Sequence, residues 1–381
     1  MSQAPLTFPD APDRANRRLG GRVGIGLLLG AAMLSIAGAC QSWTPNPDKP
    51  HHTADGFRNN YSYEQRDRLD FWKWKWDRLL GRYPERGEDA HQFPMAANDP
   101  AFLRGNRGKA TLTWIGHATI LLQLNGVNIL TDPHFSERAS PFSWTGPQRH
   151  IAPGIPREKL PPIDIVLISH NHYDHLDVDS VRYLSTHHVD GGGPRFFVPL
   201  GLKAWFLEQG ISNVVELDWW EQARHKGLQL RAVPAQHFSA RGLFDRDEML
   251  WASWVLTAGD FRFMFSGDSG YSKDYADIRE RLGPMDLSAL PIGSYEPRWF
   301  MAPMHLNPAE AVQVHRDLGS RYSMAMHWGT FDMTDELPNE PPQALARSLR
   351  TAGISPQRFF LMKHGETRLL EPLFPKKLSS P

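Results

Sequence analysis

From Ala110 onward the chain runs in short apolar stretches separated by polar breaks, a pattern of strands rather than of long helices. Ala110–Ile115, Thr119–Leu124 and Val127–Thr131 are rich in Thr, Val, Ile and Leu, and Asn125-Gly126 between the last two is a hairpin turn, so an antiparallel sheet begins here. Further strands are predicted at Ile163–Ser169, Phe196–Pro199, Val214–Leu217, Leu228–Val233, Ala252–Leu256, Arg262–Ser266, Leu287–Pro291, Ser323–Met326 and Phe359–Met362. Helices are predicted between several of them, at Val178–Leu184, Leu202–Gln209, Lys273–Leu282, Pro308–Leu318 and Pro342–Arg350. Strands and helices therefore mix along the chain, which predicts an α/β (α+β) fold of layered sheets covered by helices. No internal repeat is evident in the sequence.

The residues before Ala110 read differently. Arg14, Arg17, Arg18 and Arg22 precede an uncharged run of 17 residues, Val23–Ala39, in the charged-then-apolar order of an export signal, and that run is short for a membrane span. It ends in Ile36-Ala37-Gly38-Ala39-Cys40, which resembles the lipobox of bacterial lipoproteins. The resemblance implies that residues 1–39 are a leader and that a lipidated Cys40 anchors the mature chain to the bacterial cell envelope, facing the periplasm. An uncleaved anchor helix and an ordinary cleaved signal are the alternatives, and Arg17-Arg18 is a poor twin-arginine signal. A stretch rich in Pro, Asn and Ser then runs to about Pro50 as a tether. Beyond it, Trp72, Trp76 and Leu80 fall at helical spacing with basic residues between. Such a helix lies at a lipid headgroup interface or packs by its tryptophans onto the main domain; the packed arrangement is the expectation. Residues 40–105 are thus expected to form a tether and aromatic extension, and residues 106–381 the main domain.

Composition narrows the chemistry. The 381 residues are 41% hydrophobic, enough for a large core, and Lys plus Arg balance Asp plus Glu at 42 each, so no basic field argues for nucleic acid. Cys40 is the single cysteine, which leaves nitrogen and oxygen as the donors for any bound metal.

The 17 histidines matter because of where they fall. The apolar run from Ile163 delivers His170-Asn171-His172-Tyr173-Asp174-His175 into a loop at its C-terminal end, where sites are built. Histidines two apart in extended backbone project to one side, so His170 and His172 can grip one ion while Asp174 and His175 grip a second. A histidine-rich surface loop is the bland alternative. Four ligands within six residues directly behind a buried strand argue against it.

This set resembles the metallo-β-lactamase superfamily, whose signature is His-x-His-x-Asp-His after a strand, followed by a later His, an Asp and a further His. The later positions match His237 in Pro234-Ala235-Gln236-His237, Asp268 in Phe265-Ser266-Gly267-Asp268-Ser269-Gly270, and His327 in Met326-His327-Trp328-Gly329. The resemblance implies that His170, His172 and His237 hold one metal, that Asp174, His175 and His327 hold the other, that Asp268 bridges them, and that the fold is an αββα sandwich with the site at one edge. Longer segments narrow it. Glu216-Leu217-Asp218-Trp219-Trp220, Pro291–Met301 with its Glu296-Pro297-Arg298-Trp299-Phe300-Met301, and Met326–Phe331 resemble the N-acyl-phosphatidylethanolamine-hydrolysing phospholipase D family, from about Thr111 to Arg368.

That family implies cleavage of a membrane phospholipid into N-acylethanolamine and phosphatidate with two zinc ions; iron and manganese suit the same donors. Two ions a few ångströms apart can lower the pKa of a shared water and neutralise phosphate oxygens in an in-line displacement. Asp174, Asp268 and His305 are the candidate catalytic residues, His305 because the family places a further histidine there. Arg298 and Glu296 are expected to pair structurally, and the family allows a homodimer. Two other readings stand: a metallohydrolase of this fold acting on a lactone or another ester or amide, and a non-enzymatic metal-binding lipoprotein.

Overall fold

The computed structural model describes residues 44–63, 68–81, 93–187, 192–242, 244–375 and 377–378; the leader and Cys40 lie outside the described residues. In chain order its strands are β1 (His52–Thr53), β2 (Gly56–Phe57), β3 (Thr111–Gly116), β4 (Thr119–Leu124), β5 (Val127–Thr131), β6 (Ile165–Leu167), β7 (Arg195–Pro199) and β8 (Val214–Leu217). Then come β9 (Gln222–His225), β10 (Leu228–Val233), β11 (Ser253–Ala258), β12 (Phe261–Phe265), β13 (Leu287–Pro291), β14 (Tyr322–Met326), β15 (Phe359–Phe360) and β16 (Thr367–Leu369). The helices are α1 (Arg68–Leu79), α2 (Pro100–Gly105), α3 (Val178–Thr186), α4 (Leu202–Glu208), α5 (Asp274–Leu282), α6 (Arg298–Met301), α7 (Pro308–Asp317) and α8 (Glu340–Ala352).

Among the described residues the longer strands form two seven-stranded sheets, ordered β16-β3-β4-β5-β6-β7-β8 and β15-β14-β13-β12-β11-β10-β9. The two are built alike. In the first, β3, β4 and β5 pair antiparallel and β5 to β8 parallel; in the second, β9 to β12 pair antiparallel and β12 to β15 parallel. The duplicated order is a repeat of topology, invisible in the sequence because different side chains fill the equivalent strands.

Alternation along the strands makes the layers. On β4, Ile120, Leu122 and Leu124 join Leu230, Leu256, Phe263 and Leu287 of the other sheet in one core, while Leu121 points the opposite way onto Val181, Leu184, Leu202 and Phe206 of α3 and α4. Both faces of β3 to β6 are buried, which is why these segments read as continuous apolar runs rather than alternating ones. The expected αββα sandwich is the observed architecture. Two differences are local. β9, Gln222-Ala-Arg-His225, is half exposed at a sheet edge and carries no apolar run, so the pattern misses it. The last predicted helix starts earlier, at Glu340, because Pro341 and Pro342 occupy the first turn, where no backbone donor is needed.

Candidate metal centre

Each donor sits just beyond the C-terminal end of a strand. β6 ends at Leu167 and its following loop carries His170, His172, Asp174 and His175, while β10 leads to His237, β12 to Asp268 and β14 to His327. β6 belongs to one sheet and the other three strands to its partner, so the donors meet where the strand ends of both sheets converge. Close backbone approach makes this feasible. Gly267 has φ +59°, and a Cβ there would stand 2.5 Å from Ser169 Cβ, so only glycine lets the β12 loop bring Asp268 against the β6 loop. Likewise a Cβ on Gly293 would lie 2.2 Å from His327 O.

Nε2 of His170 is 2.8 Å from Nδ1 of His172, which is 3.3 Å from Nε2 of His237. Beside this trio, Asp174 Oδ2 is 3.1 Å from His175 Nε2 and 3.3 Å from His327 Nε2, and those two nitrogens are 3.1 Å apart. Asp268 stands between the groups. Its Oδ2 is 3.1 Å from His175 Nε2 and 4.0 Å from His237 Nε2, and its Oδ1 is 3.2 Å from His327 Nε2. Donors about 2.0–2.1 Å from a tetrahedral ion stand roughly 3.3 Å from one another, so these separations are those of an ion's coordination shell. Asp268 Oδ1 is buried and makes no hydrogen bond of good geometry among the described residues; His327 Nε2, 3.2 Å away, is the charged group that faces it without metal, and a bound cation would take over that role. The nitrogen and oxygen donors present fit a bound metal. A third histidine group, His51 and His52 with Asp218, does not, because Lys49 Nζ already lies 2.9 Å from Asp218 Oδ2. That cluster is an ion-paired clasp holding the segment around β1 and β2.

The family described as a β-lactamase superfamily domain matches residues 127–328, a span that contains all seven donors. The chain belongs to the metallo-β-lactamase superfamily. Within it the chain is similar to N-acyl-phosphatidylethanolamine-hydrolysing phospholipases D. It is 44% identical to phospholipase D 1 of this name from Caenorhabditis elegans over 244 residues, covering 61% of this chain and 68% of that protein. It is 36% identical to the mitochondrial enzyme of this name from Saccharomyces cerevisiae, covering 68% of this chain and 56% of that protein. Among solved structures, a "possible metal-dependent hydrolase" of Veillonella parvula superposes with a TM-score of 0.53 at 16% identity, covering 69% of this chain and 100% of that one, which speaks to the fold. The protein is a metal-dependent hydrolase.

The surroundings of the hydrolase's donors assign their tautomers. Asp132 is a buried carboxylate and can only accept, so His175 Nδ1–H donates to its Oδ2 at 2.6 Å. Ser169 Oγ donates to the same oxygen at 2.5 Å, so it accepts the Nδ1–H of His170 at 2.9 Å. His237 Nδ1–H donates to Met304 O at 2.9 Å. In all three, Nδ1 is engaged outward and Nε2 is the atom aimed into the centre, able to ligate once it carries no proton. Burial also sorts the charges. It pushes the His172 imidazole down to about 4 and those of His170, His237 and His117 well below their ordinary value. Burial would push His327 down too, yet the Asp268 and Asp174 carboxylates outweigh it and hold His327 up at about 9. His175 is raised for the same reason, and its charge together with those carboxylates keeps Asp174 and Asp268 well below the usual range against the opposing effect of burial.

His305 faces this centre from outside the two donor groups, its Nδ1 3.7 Å from Asp268 Oδ2, and burial pushes it down to about 4, so the ring is neutral. Its backbone is held by Arg298, whose guanidinium donates to His305 O at 3.0 Å and grips both Glu310 oxygens at 2.9 Å. The expected Arg298–Glu296 pair is therefore replaced by Arg298–Glu310. Glu296 instead caps the Arg298 backbone N–H at 2.8 Å, because the start of α6 leaves that donor unpaired. Three residues that sequence reasoning missed belong to the centre: His117, Asp132 and Ser169. Gly116-His117 and Thr131-Asp132-Pro133 each stand at the C-terminal end of a strand, which was the available signal.

α1 packs onto the main domain as expected, but through Trp74 and not through Trp72 and Trp76. Trp72 and Trp76 are 65% and 59% exposed, with Leu69 and Leu79 beside them at 76% each, and Trp74 is the ring that is buried. Residues two apart on a helix point about 200° apart, so one face carries Trp74 and the other the tryptophan pair. Trp74 stacks on Phe300 at 5.4 Å, donates to Asp335 Oδ2 at 2.9 Å, and joins Met301, Met304 and Phe238. Phe238 in turn lies against His172 at 4.4 Å, so α1 is seated next to the metal centre.

Proposed function

We propose that this hydrolase holds two metal ions and cleaves N-acyl-phosphatidylethanolamine at a membrane surface. The observation that carries the dinuclear reading is the place of Asp268, within 3.1 Å of one donor group and 4.0 Å of the other, as a bridging carboxylate requires. Zinc is the proposed metal, and the donors suit iron or manganese equally. Bound metal would supply an activated water and neutralise charge on a phosphate. The chain's own part is positional: Asp132, Ser169 and Met304 O keep three imidazoles in the ligating tautomer, and Asp174 and Asp268 carry the negative charge. His305, neutral and facing the centre, is a hydrogen-bond donor for a phosphate or leaving-group oxygen. Water adds to phosphorus, the bond from phosphorus to the ethanolamine oxygen breaks, that oxygen takes a proton, and phosphatidate and N-acylethanolamine are the products.

Similarity to the worm and yeast phospholipases supports the substrate class. The exposed Trp72, Trp76, Leu69 and Leu79 on a helix seated beside the centre support approach from the lipid side, since tryptophan and lysine favour the headgroup region. Among the described residues no helix is long and apolar enough to cross a membrane, so α1 would lie on the surface. The leader ending at Cys40 supports tethering in the cell envelope. The test is metal content and N-acylethanolamine release by the full chain and by His172→Ala. Two metal equivalents with release in the wild type, both diminished in the variant, support the reading. Full metal content with no phospholipid cleavage but turnover of a lactone overturns the substrate.

A further inference from the structure

The geometry points to His117 as the positioning residue that orients Asp174 for metal binding by donating its Nε2–H to Asp174 Oδ2. The inference deepens the proposed function and rests on Asp174 being a ligand. The two atoms are 2.9 Å apart, and both residues are buried. His175 and His327 also approach that oxygen, at 3.1 and 3.3 Å, but each can ligate an ion only with Nε2 deprotonated. Once they do so, His117 is the one of these three imidazoles that still carries a proton for Asp174. A carboxylate with no donor would be free to rotate, and partners of this kind fix ligands in place.

The backbone is arranged to hold His117 there. It lies in the turn between β3 and β4 at φ +51°, left-handed backbone that is uncommon for residues other than glycine. Its N–H donates to Thr330 Oγ1 at 2.9 Å, and its carbonyl accepts from Trp114 Nε1 at 2.9 Å and from the backbone N–H of His327 at 3.0 Å. His327 is itself left-handed, at φ +61°, and the two rings lie 3.9 Å apart. Two constrained residues, one from each sheet, are thus tied back to back, and the tie presents the His117 ring to Asp174 as it presents His327 to the ion.

The test uses metal-free full-length protein titrated with Zn2+ against a chromophoric chelator, for wild type, His117→Phe, which keeps the ring without a donor, and His117→Gln, which keeps a donor without the ring. The expectation is two equivalents in each, with one weakened about 10- to 100-fold in His117→Phe and substantially restored in His117→Gln, while the metal-free melting temperatures stay close. If His117→Phe fails to fold, wild-type affinity in His117→Gln against a weakened His117→Ala gives the same comparison. Unchanged Zn2+ affinity in the donor-free variant overturns the inference and leaves the proposed function standing. Loss of one equivalent in both variants at any Zn2+ concentration makes His117 a ligand and overturns it too. A wild type that binds no Zn2+ removes both readings.

Discussion

Asp132→Asn is the sharpest probe of how the centre is held. Three donors converge on the buried Asp132 carboxylate: Ser169 N–H at 2.7 Å, Ser169 Oγ–H at 2.5 Å and His175 Nδ1–H at 2.6 Å. An amide has one acceptor oxygen, so its NH2 must face either the Ser169 backbone N–H, at the Oδ1 position, or both Ser169 Oγ and His175 Nδ1, at the Oδ2 position. If it faces the Ser169 N–H, a buried donor is left unpaired at a cost of about 1–3 kcal/mol, and the bond from His175 loses its charged acceptor, worth about 1.5–3 kcal/mol before and roughly half that after. If it takes the Oδ2 position, Nδ1 becomes the acceptor and the proton moves to Nε2, the atom 3.1 Å from both Asp174 Oδ2 and Asp268 Oδ2, where it blocks ligation. Either outcome weakens metal binding. At about 1.4 kcal/mol per tenfold, the expected loss is roughly 10- to 100-fold in affinity for one ion, in line with the effect of removing such partners elsewhere. Competition with a chelator measures it, and far-ultraviolet circular dichroism of the metal-free variant checks that it folds. A folded Asp132→Asn protein that binds both ions as tightly as wild type would refute the tautomer argument.

Four further outcomes are expected. In the metal-free protein His327 keeps its proton up to about pH 9, so metal uptake at pH 7 releases protons and tightens as pH rises toward 9; calorimetry in buffers of different ionisation enthalpy reads the release, and a heat independent of buffer contradicts it. The same raised value contributes folding stability that is complete below the unfolded pKa near 6.5 and lost as pH rises through about 9, a slope that melting of the metal-free chain should show. Gly267→Ala, with φ +59° and a Cβ 2.5 Å from Ser169, should destabilise by about 1–3 kcal/mol and lower metal content together, by thermal melting and metal analysis; a neutral substitution would mean the β12 loop has room to move. Trp72→Ser with Trp76→Ser should leave stability within about 0.5 kcal/mol, because both rings are exposed, yet weaken sedimentation with phospholipid vesicles; unchanged vesicle binding would detach α1 from any membrane role.

What the sequence determined by itself was local. Periodicity along single strands, the hairpin at Asn125-Gly126 and the dense spacing of His170 to His175 are written within a few residues of one another, so the layered fold and the heart of the centre were legible without coordinates. Resemblance extended that to His237, Asp268 and His327, which no spacing rule joins to the first cluster. Tertiary structure alone decided which residues stand behind the donors. Asp132 follows β5 and His117 follows β3, and they reach His175 and Asp174 only because the strands register side by side and the turns close over the same end. It also decided the direction of α1, since a helix with large rings on opposite faces does not say which face finds Phe300. It revealed two sheets with the same order of pairings. Side-chain spacing is a one-dimensional record, whereas which polar group faces which depends on packing between segments far apart in the chain.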